Sequence, residues 1–323
     1  MTSDGATSGD DILEVDLLRF EQGDATARRA VVDGTLRSLQ TGFVYTRHDL
    51  PESLIDEAYG LLAAFFALDQ ADKERFVAPG AHGQTGYTGL LVETAAGSEH
   101  ADWKEMLAWG PTVPEAHPLR RRHPLNYRDQ VLPEEVVPGI TAVLTVFRDS
   151  ILDLQRRFLR IIAVGLGAHE LLFDDLLRDG PHLTRAMRYP AMGEAPGPHE
   201  WAGEHADICL LTALPRATAA GLEVRTDAGW VDAAAPEGTV IMNSGLMLER
   251  MSNGIIPPGI HRVIGGPDAG ERHSVVQFCH PTPWTVLAPL PSCCTPEHPP
   301  RFAGIEAGAM LDEVLWQINL IAE

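Results

Sequence analysis

His205 and Asp207 stand two positions apart, with only Ala206 between them. In extended backbone, residues i and i+2 project from the same face, so this imidazole and this carboxylate would point into one space. A third ligand has to come from elsewhere in the chain, and His261 opens a strand-like stretch well placed to supply it. Two imidazoles and one carboxylate suit Fe(II) with open positions, which take a chelating co-substrate and O2. Arg272 and Ser274 repeat the i, i+2 spacing. A guanidinium beside a hydroxyl makes a directional receptor for a carboxylate. A 2-oxo acid such as 2-oxoglutarate, gripping iron by its keto-acid end, presents a distal carboxylate that needs such a receptor.

Other residues of the same types read differently. A second His-x-Asp run, His100-Ala-Asp102, lies in a loop-rich region with no Arg-x-Ser pair downstream, and reads as structural. Asn243 and Asn253-Gly254 read as turn and packing residues, because Asn-Gly is a strong turn former. His169, His182 and His280 read as satisfied or exposed histidines. Cys209 and Cys279 read as core. With Cys293 and Cys294 they form no CxxC or zinc-finger spacing, so no disulfide framework or thiolate metal site is expected.

The elements that must position these groups change character along the chain. Residues 12–20 read as a short strand, 24–40 as a helix, 43–46 as a strand and 51–68 as a helix opened by Pro51. Residues 78–124, rich in Gly, His, Pro and Trp, read as loop with short elements. Apolar residues from Val137 to Ile161 recur at three-and-four spacing, which predicts a long helix over 134–167 packed along one stripe. From about residue 183 the pattern becomes many short strands separated by turn residues: 183–189, 209–214, 222–226, 230–233, 239–243, 261–264, 273–279 and 286–290. That spacing predicts a sandwich or barrel of the jelly-roll kind. A last helix is expected over 307–320. The chain thus divides into a disordered leader (1–11), a mixed α/β N-terminal region (12–130), a bracing helix (131–180) and a jelly-roll core with its C-terminal helix (181–323).

The 323 residues are 45% hydrophobic and 22% charged, ordinary for a globular protein with a sizeable core. A formal net charge of −20 argues against nucleic acid or an anionic membrane as partner, since both select basic surfaces. No apolar run approaches the ~20 residues of a membrane span. The acidic start lacks the features of a secretion signal, so a cytoplasmic location is expected.

Several runs are similar to one family. His205-x-Asp207, then Asn243-Ser-Gly-Leu-Met-Leu-Glu-Arg-Met-Ser-Asn253-Gly254, then His261-Arg-Val and Glu271-Arg272-His-Ser274 resemble the isopenicillin N synthase-like family of Fe(II)/2-oxoglutarate dioxygenases. Gly42-Phe43 and Asp102-Trp103-Lys104-Glu105 resemble its N-terminal region. The resemblance implies an α+β fold, mainly β at its core: a double-stranded β-helix with a helical N-terminal region and flanking helices. It implies iron on His205, Asp207 and His261, and 2-oxoglutarate on Arg272 and Ser274 with Tyr189 beside them. It also implies a small-molecule substrate that is hydroxylated, desaturated or cyclised, with Tyr87 and Arg188 reaching it, and release of succinate and CO2. The Arg188-Tyr189-Pro190 run is similar to isopenicillin N synthase itself, so an oxidase that needs no 2-oxoglutarate remains an alternative. A metal-binding jelly roll without turnover is a second one.

Overall fold

The computed structural model describes residues 12–94 and 100–317. The expected disordered leader, residues 1–11, lies outside the described residues. The N-terminal part opens with β1 (Glu14–Asp16), α1 (Leu17–Gln22), α2 (Ala25–Ser38), β2 (Phe43–Arg47), α3 (Glu52–Phe66) and α4 (Gln70–Glu74). It continues through β3 (Gly86–Thr88), β4 (Glu105–Trp109), α5 (Pro118–Arg122), α6 (Ile140–Gly165) and α7 (Leu172–Leu177). Then come β5 (Leu183–Tyr189), β6 (Ala202–His205), β7 (Leu211–Leu214), β8 (Leu222–Thr226), β9 (Gly229–Asp232) and β10 (Thr239–Ser244). The chain finishes with α8 (Leu246–Met251), β11 (His261–Val263), β12 (Arg272–Cys279), β13 (Val286–Leu287), β14 (Ile305–Glu306) and α9 (Ala307–Gln317).

Eight strands form the large sheet in the order β1-β2-β10-β7-β12-β5-β4-β3, and four form a smaller sheet, β6-β11-β8-β9. Apart from the parallel β1–β2 pair, every pairing in the large sheet is antiparallel. This is the expected α+β architecture with a double-stranded β-helix at its core. Side-chain alternation gives the large sheet two different faces. Val275 and Gln277 of β12 turn toward α6, where Gln277 Nε2 donates to Gln155 Oε1 at 3.2 Å. The other parity, Arg272, Ser274, Val276 and Phe278, turns into a cavity. The main apolar core lies on the helix side, and a second core, including Met106, Met187, Tyr189, Trp201, Leu222 and Val263, accompanies the cavity.

The long helix α6 braces the large sheet as its apolar stripe predicts, burying Leu144, Phe147, Ile151, Leu154, Phe158 and Ile161. It starts at Ile140, later than the spacing suggests, because Gly139 adopts φ +86 just before it. The Glu134 carboxylate instead accepts from Gly139 N at 2.7 Å and Thr141 N at 2.9 Å, satisfying amides at that helix start. The stretch 12–20 is only three residues of strand, since Asp16 caps a helix by accepting from Arg19 N. Residues 78–124, read as loop, hold a wholly buried strand in β4. α7, β6 and α8 are too short to leave a periodic signature. The final helix runs through Gln317, and residues 318–320 of the expected span lie outside the described residues.

Candidate metal centre and co-substrate pocket

The two histidines meet because their strands pair. In the antiparallel β6–β11 ladder, His205 and His261 are direct partners, and their ring centroids lie 4.3 Å apart. Asp207 follows two residues after the end of β6, with Oδ1 3.9 Å from His205 Nε2. One ligand atom from each of the three side chains lies within 4.8 Å of the others, and this is the single such group among the described residues. His100-Ala-Asp102 therefore finds no third ligand there.

Hydrogen bonds orient each of the three groups. His205 Nδ1 lies 2.8 Å from Gly203 O, and His261 Nδ1 lies 3.0 Å from Gly259 O. With Nδ1–H donating to those carbonyls, both Nε2 atoms are left as bare acceptors suited to a metal. The Asp207 Oδ2 atom accepts from Thr212 Oγ1 at 2.6 Å and from Asn243 Nδ2 at 2.7 Å, which leaves Oδ1 free. Asn243 is thus a partner of the carboxylate, which corrects its reading as a turn and packing residue. Its parity in β10, shared with Ile241, carried that signal.

Electrostatics agree with the donor set. Burial opposes ionisation of Asp207, but the imidazoles of His261 and His205 and the bonds from Thr212 and Asn243 outweigh it, holding the carboxyl below its ordinary value. Burial lowers His261 to about 4, which keeps its imidazole neutral and able to ligate near pH 7. Close backbone approach sets the position of both strands. A Cβ on Gly42, at φ +79, would come within 2.2 Å of Gly259 Cα, two residues before His261. One on Gly245 would come within 2.1 Å of Cys209 O and 2.9 Å of Asp207 O.

The three groups line a cavity of about 330 Å3 together with Arg272, Ser274 and Tyr189. Arg272 and Tyr189 are direct partners across β12 and β5, with the guanidinium carbon 5.0 Å from the phenol ring centroid. Arg272 Nη1 donates to Ser274 Oγ at 3.0 Å and Nε to Ala219 O at 3.1 Å. The side chain is only 1% exposed, yet no carboxylate among the described residues lies within ion-pair distance. A buried cation without a protein counter-charge is costly, and an anionic ligand removes that cost. The residues present therefore fit both an Fe(II) ion and the carboxylate of a 2-oxo acid.

Tyr87 and Arg188, expected to reach a substrate, lie elsewhere. Neither lines the cavity. Tyr87 Oη donates to Glu105 and lies 3.2 Å from Gln70 Oε1. Arg188 Nη1 lies 2.7 Å from Glu105 Oε1, and Nε lies 2.6 Å from Glu271 Oε2. The reason is parity: Arg188 precedes Tyr189 on one strand, so the two cannot share a face. The arginine of β5 that does face the cavity is Arg185, which sequence reasoning passed over although it keeps the parity of Met187 and Tyr189.

A jelly roll that gathers two imidazoles, a carboxylate and an unpaired buried arginine in one cavity defines the class of mononuclear non-haem iron oxygenases. Comparison with known proteins gives the same answer. Residues 15–135 match the family model of the non-haem dioxygenase in morphine synthesis N-terminal region, and residues 181–281 match that of the 2OG-Fe(II) oxygenase superfamily. A Dictyostelium discoideum protein named "probable iron/ascorbate oxidoreductase" is 30% identical over 266 residues, 74% of this chain and 72% of its own length. A 2OG-Fe(II) oxygenase family protein from Caulobacter crescentus superposes with a TM-score of 0.83 at 29% identity, covering 96% of this chain and 99% of that one. Neurospora crassa T7H, solved with alpha-KG and thymine, gives a TM-score of 0.82 at 25% identity, covering 96% of this chain and 97% of that one. The chain belongs to the 2OG-Fe(II) oxygenase superfamily. It is an Fe(II)- and 2-oxoglutarate-dependent oxidoreductase that uses O2. No helix among the described residues is long and apolar enough to cross a membrane.

Proposed function

We propose that this oxygenase oxidises a small molecule, with His205 Nε2, Asp207 Oδ1 and His261 Nε2 holding the iron and Arg272 with Ser274 holding the far carboxylate of 2-oxoglutarate. When bound, Fe(II) with 2-oxoglutarate and O2 supplies the oxidising power, and the co-substrate leaves as succinate and CO2. The chain's own residues do the positioning. Gly203 and Gly259 carbonyls fix both imidazoles, and Thr212 and Asn243 hold the Asp207 carboxylate in one rotamer. The Tyr189 ring and Ser274 flank the Arg272 guanidinium. Apolar residues such as Met106, Leu222, Val276 and Phe278 line the rest of the cavity and limit water around the reacting centre.

The observation that carries this reading is the single cavity containing both the three-ligand set and a buried, counter-ion-free arginine. A substrate of small size fits a cavity of about 330 Å3, and T7H, a similar structure, has been solved with thymine and with 5-formyluracil. The test is formation of succinate from 2-oxoglutarate under air. It is expected to require added Fe(II) and to stop under argon or with a chelator. Oxygen uptake that proceeds unchanged without 2-oxoglutarate would overturn the assignment of Arg272.

A further inference from the structure

The cavity holds a second polar cluster that the metal set and the 2-oxoglutarate receptor do not use. Lys104 Nζ lies 2.8 Å from Glu93 Oε2 and 2.7 Å from Asp102 Oδ2, and Arg185 Nη1 lies 3.2 Å from Glu93 Oε1. All four side chains line the cavity, and none is more than 11% exposed. They share that cavity with the metal ligands His205, Asp207 and His261.

Two cations and two carboxylates balance in charge, but their hydrogen-bonding capacities do not match. An ammonium has three N–H donors and a guanidinium five. Lys104 turns two donors to carboxylates, and Arg185 reaches Glu93 through one nitrogen. Arg185 Nε is buried with no partner among the described residues, and so is Nδ1 of His280 in the same cavity wall. Arg188, the outward-facing arginine of the same strand, offers the contrast: its Nε and both terminal nitrogens lie against Glu105 and Glu271. The remaining wall near Arg185, including Leu183, Met106, Val276 and Phe278, is apolar.

We propose that Arg185, kept in place with Lys104 by the shared Glu93, is the substrate anchor, and that the substrate is a mainly apolar small molecule bearing a carboxylate or carbonyl oxygen. This rests on the oxygenase reading, in which Arg272 is taken by 2-oxoglutarate and Arg185 is left for the substrate. An oxygen acceptor meets the spare donors. An amine would bring a further cation and further donors to a wall already rich in both. Glu93 orders the pair, and its carboxylate stays ionised: burial opposes this, but Lys104 and Arg185 bring it down to about 2.

The experiment is calorimetric titration of the full chain, loaded anaerobically with Fe(II) and 2-oxoglutarate, with three probes of one skeleton. These are 4-methylbenzoate, 4-methylacetophenone and 4-methylbenzylamine. The acid and the ketone are expected to bind, and the amine at least about ten-fold more weakly. Arg185→Gln is expected to weaken the acid by about ten-fold or more while leaving the 2-oxoglutarate affinity unchanged. Should that variant melt early, Arg185→Lys keeps a cation for Glu93 but lacks the Nε donor, and is expected to weaken the acid as well. The proposal is overturned if the amine binds as tightly as the acid, if both variants retain the acid, or if neither oxygen-bearing probe binds. Failure of the wild-type chain to bind 2-oxoglutarate would count against the oxygenase reading instead.

Discussion

Lys104 and Glu105 are neighbours in the chain, yet they serve two different buried charge clusters on opposite faces of the large sheet. On the cavity face, Lys104, Glu93, Asp102 and Arg185 leave donors unmatched. On the helix face, Glu105 is 0% exposed and saturated: Lys73 Nζ lies 2.8 Å away, Arg188 Nη1 2.7 Å away, and the Tyr87 hydroxyl donates to it. Both clusters combine Glu, Lys and Arg side chains, and each takes one arginine from β5, so composition does not separate them. What separates them is completeness. A closed network pins β4, β5 and α4 together, while an open one faces the space where a ligand belongs.

The largest expected effect tests the working side of that contrast. Asp207→Ala removes one of three ligands and leaves two imidazoles. Iron content is expected to fall to background and succinate formation by more than about 100-fold, since even partners of metal ligands are worth 10–100-fold. Succinate formation at the wild-type rate would break the ligand assignment. On the other face, Glu105→Ala strands the Lys73 ammonium, which is 7% exposed, and removes a partner of Arg188. Breaking a buried pair costs about 3–5 kcal/mol, to be read from urea unfolding. The affinity of the folded fraction for 2-oxoglutarate is expected to be unchanged. A variant that keeps its stability but loses 2-oxoglutarate would invert the roles of the two faces.

The sequence showed one side of this contrast more readily than the other. His205, Asp207, His261, Arg272 and Ser274 sit at i, i+2 spacings in strand-like runs, and the structure brings all five into one cavity. Strand periodicity places side chains on a face whether or not the strand's partners are known, which is why those groups were legible. Arg188 and Tyr87 were misplaced for the same reason in reverse: the parity of β5 and β3 puts them on the helix face, and resemblance alone does not report parity. The Lys104–Glu93 and Lys73–Glu105 contacts join segments that only tertiary folding brings together. No local pattern announces them. β4 was hidden for another reason, because a strand buried on both faces has no alternation to read.

Acidification acts through two buried histidines, of which His280 lines the cavity. Burial lowers His280 to about 3, and burial lowers His182 to about 4, against an ordinary value of about 6.5. In the unfolded chain both take a proton below pH 6.5, while in the folded chain they do not until far lower. Their contribution is therefore fully present above about pH 6.5 and is lost as pH falls toward 4. Over that window each is expected to cost on the order of 2–3 kcal/mol, visible as a fall in the urea midpoint. His280→Phe, which cannot take up a proton, should flatten part of the slope, and an unaltered slope would show that His280 is not held neutral.

The smallest effect asks how closed the helix-side cluster is. Tyr87 Oη donates to Glu105 and lies 3.2 Å from Gln70, and Glu105 still has Lys73 and Arg188 when that hydroxyl is removed. Tyr87→Phe keeps the ring packed against Phe65, whose centroid is 5.9 Å away. The loss should be about 1 kcal/mol, the net worth of a typical hydrogen bond, since the Glu105 carboxylate keeps its cationic partners. If Tyr87 instead touched substrate, stability would hold while KM for any identified substrate rose. The two readouts move in opposite ways, so one variant decides whether this tyrosine belongs to the closed cluster or to the open one.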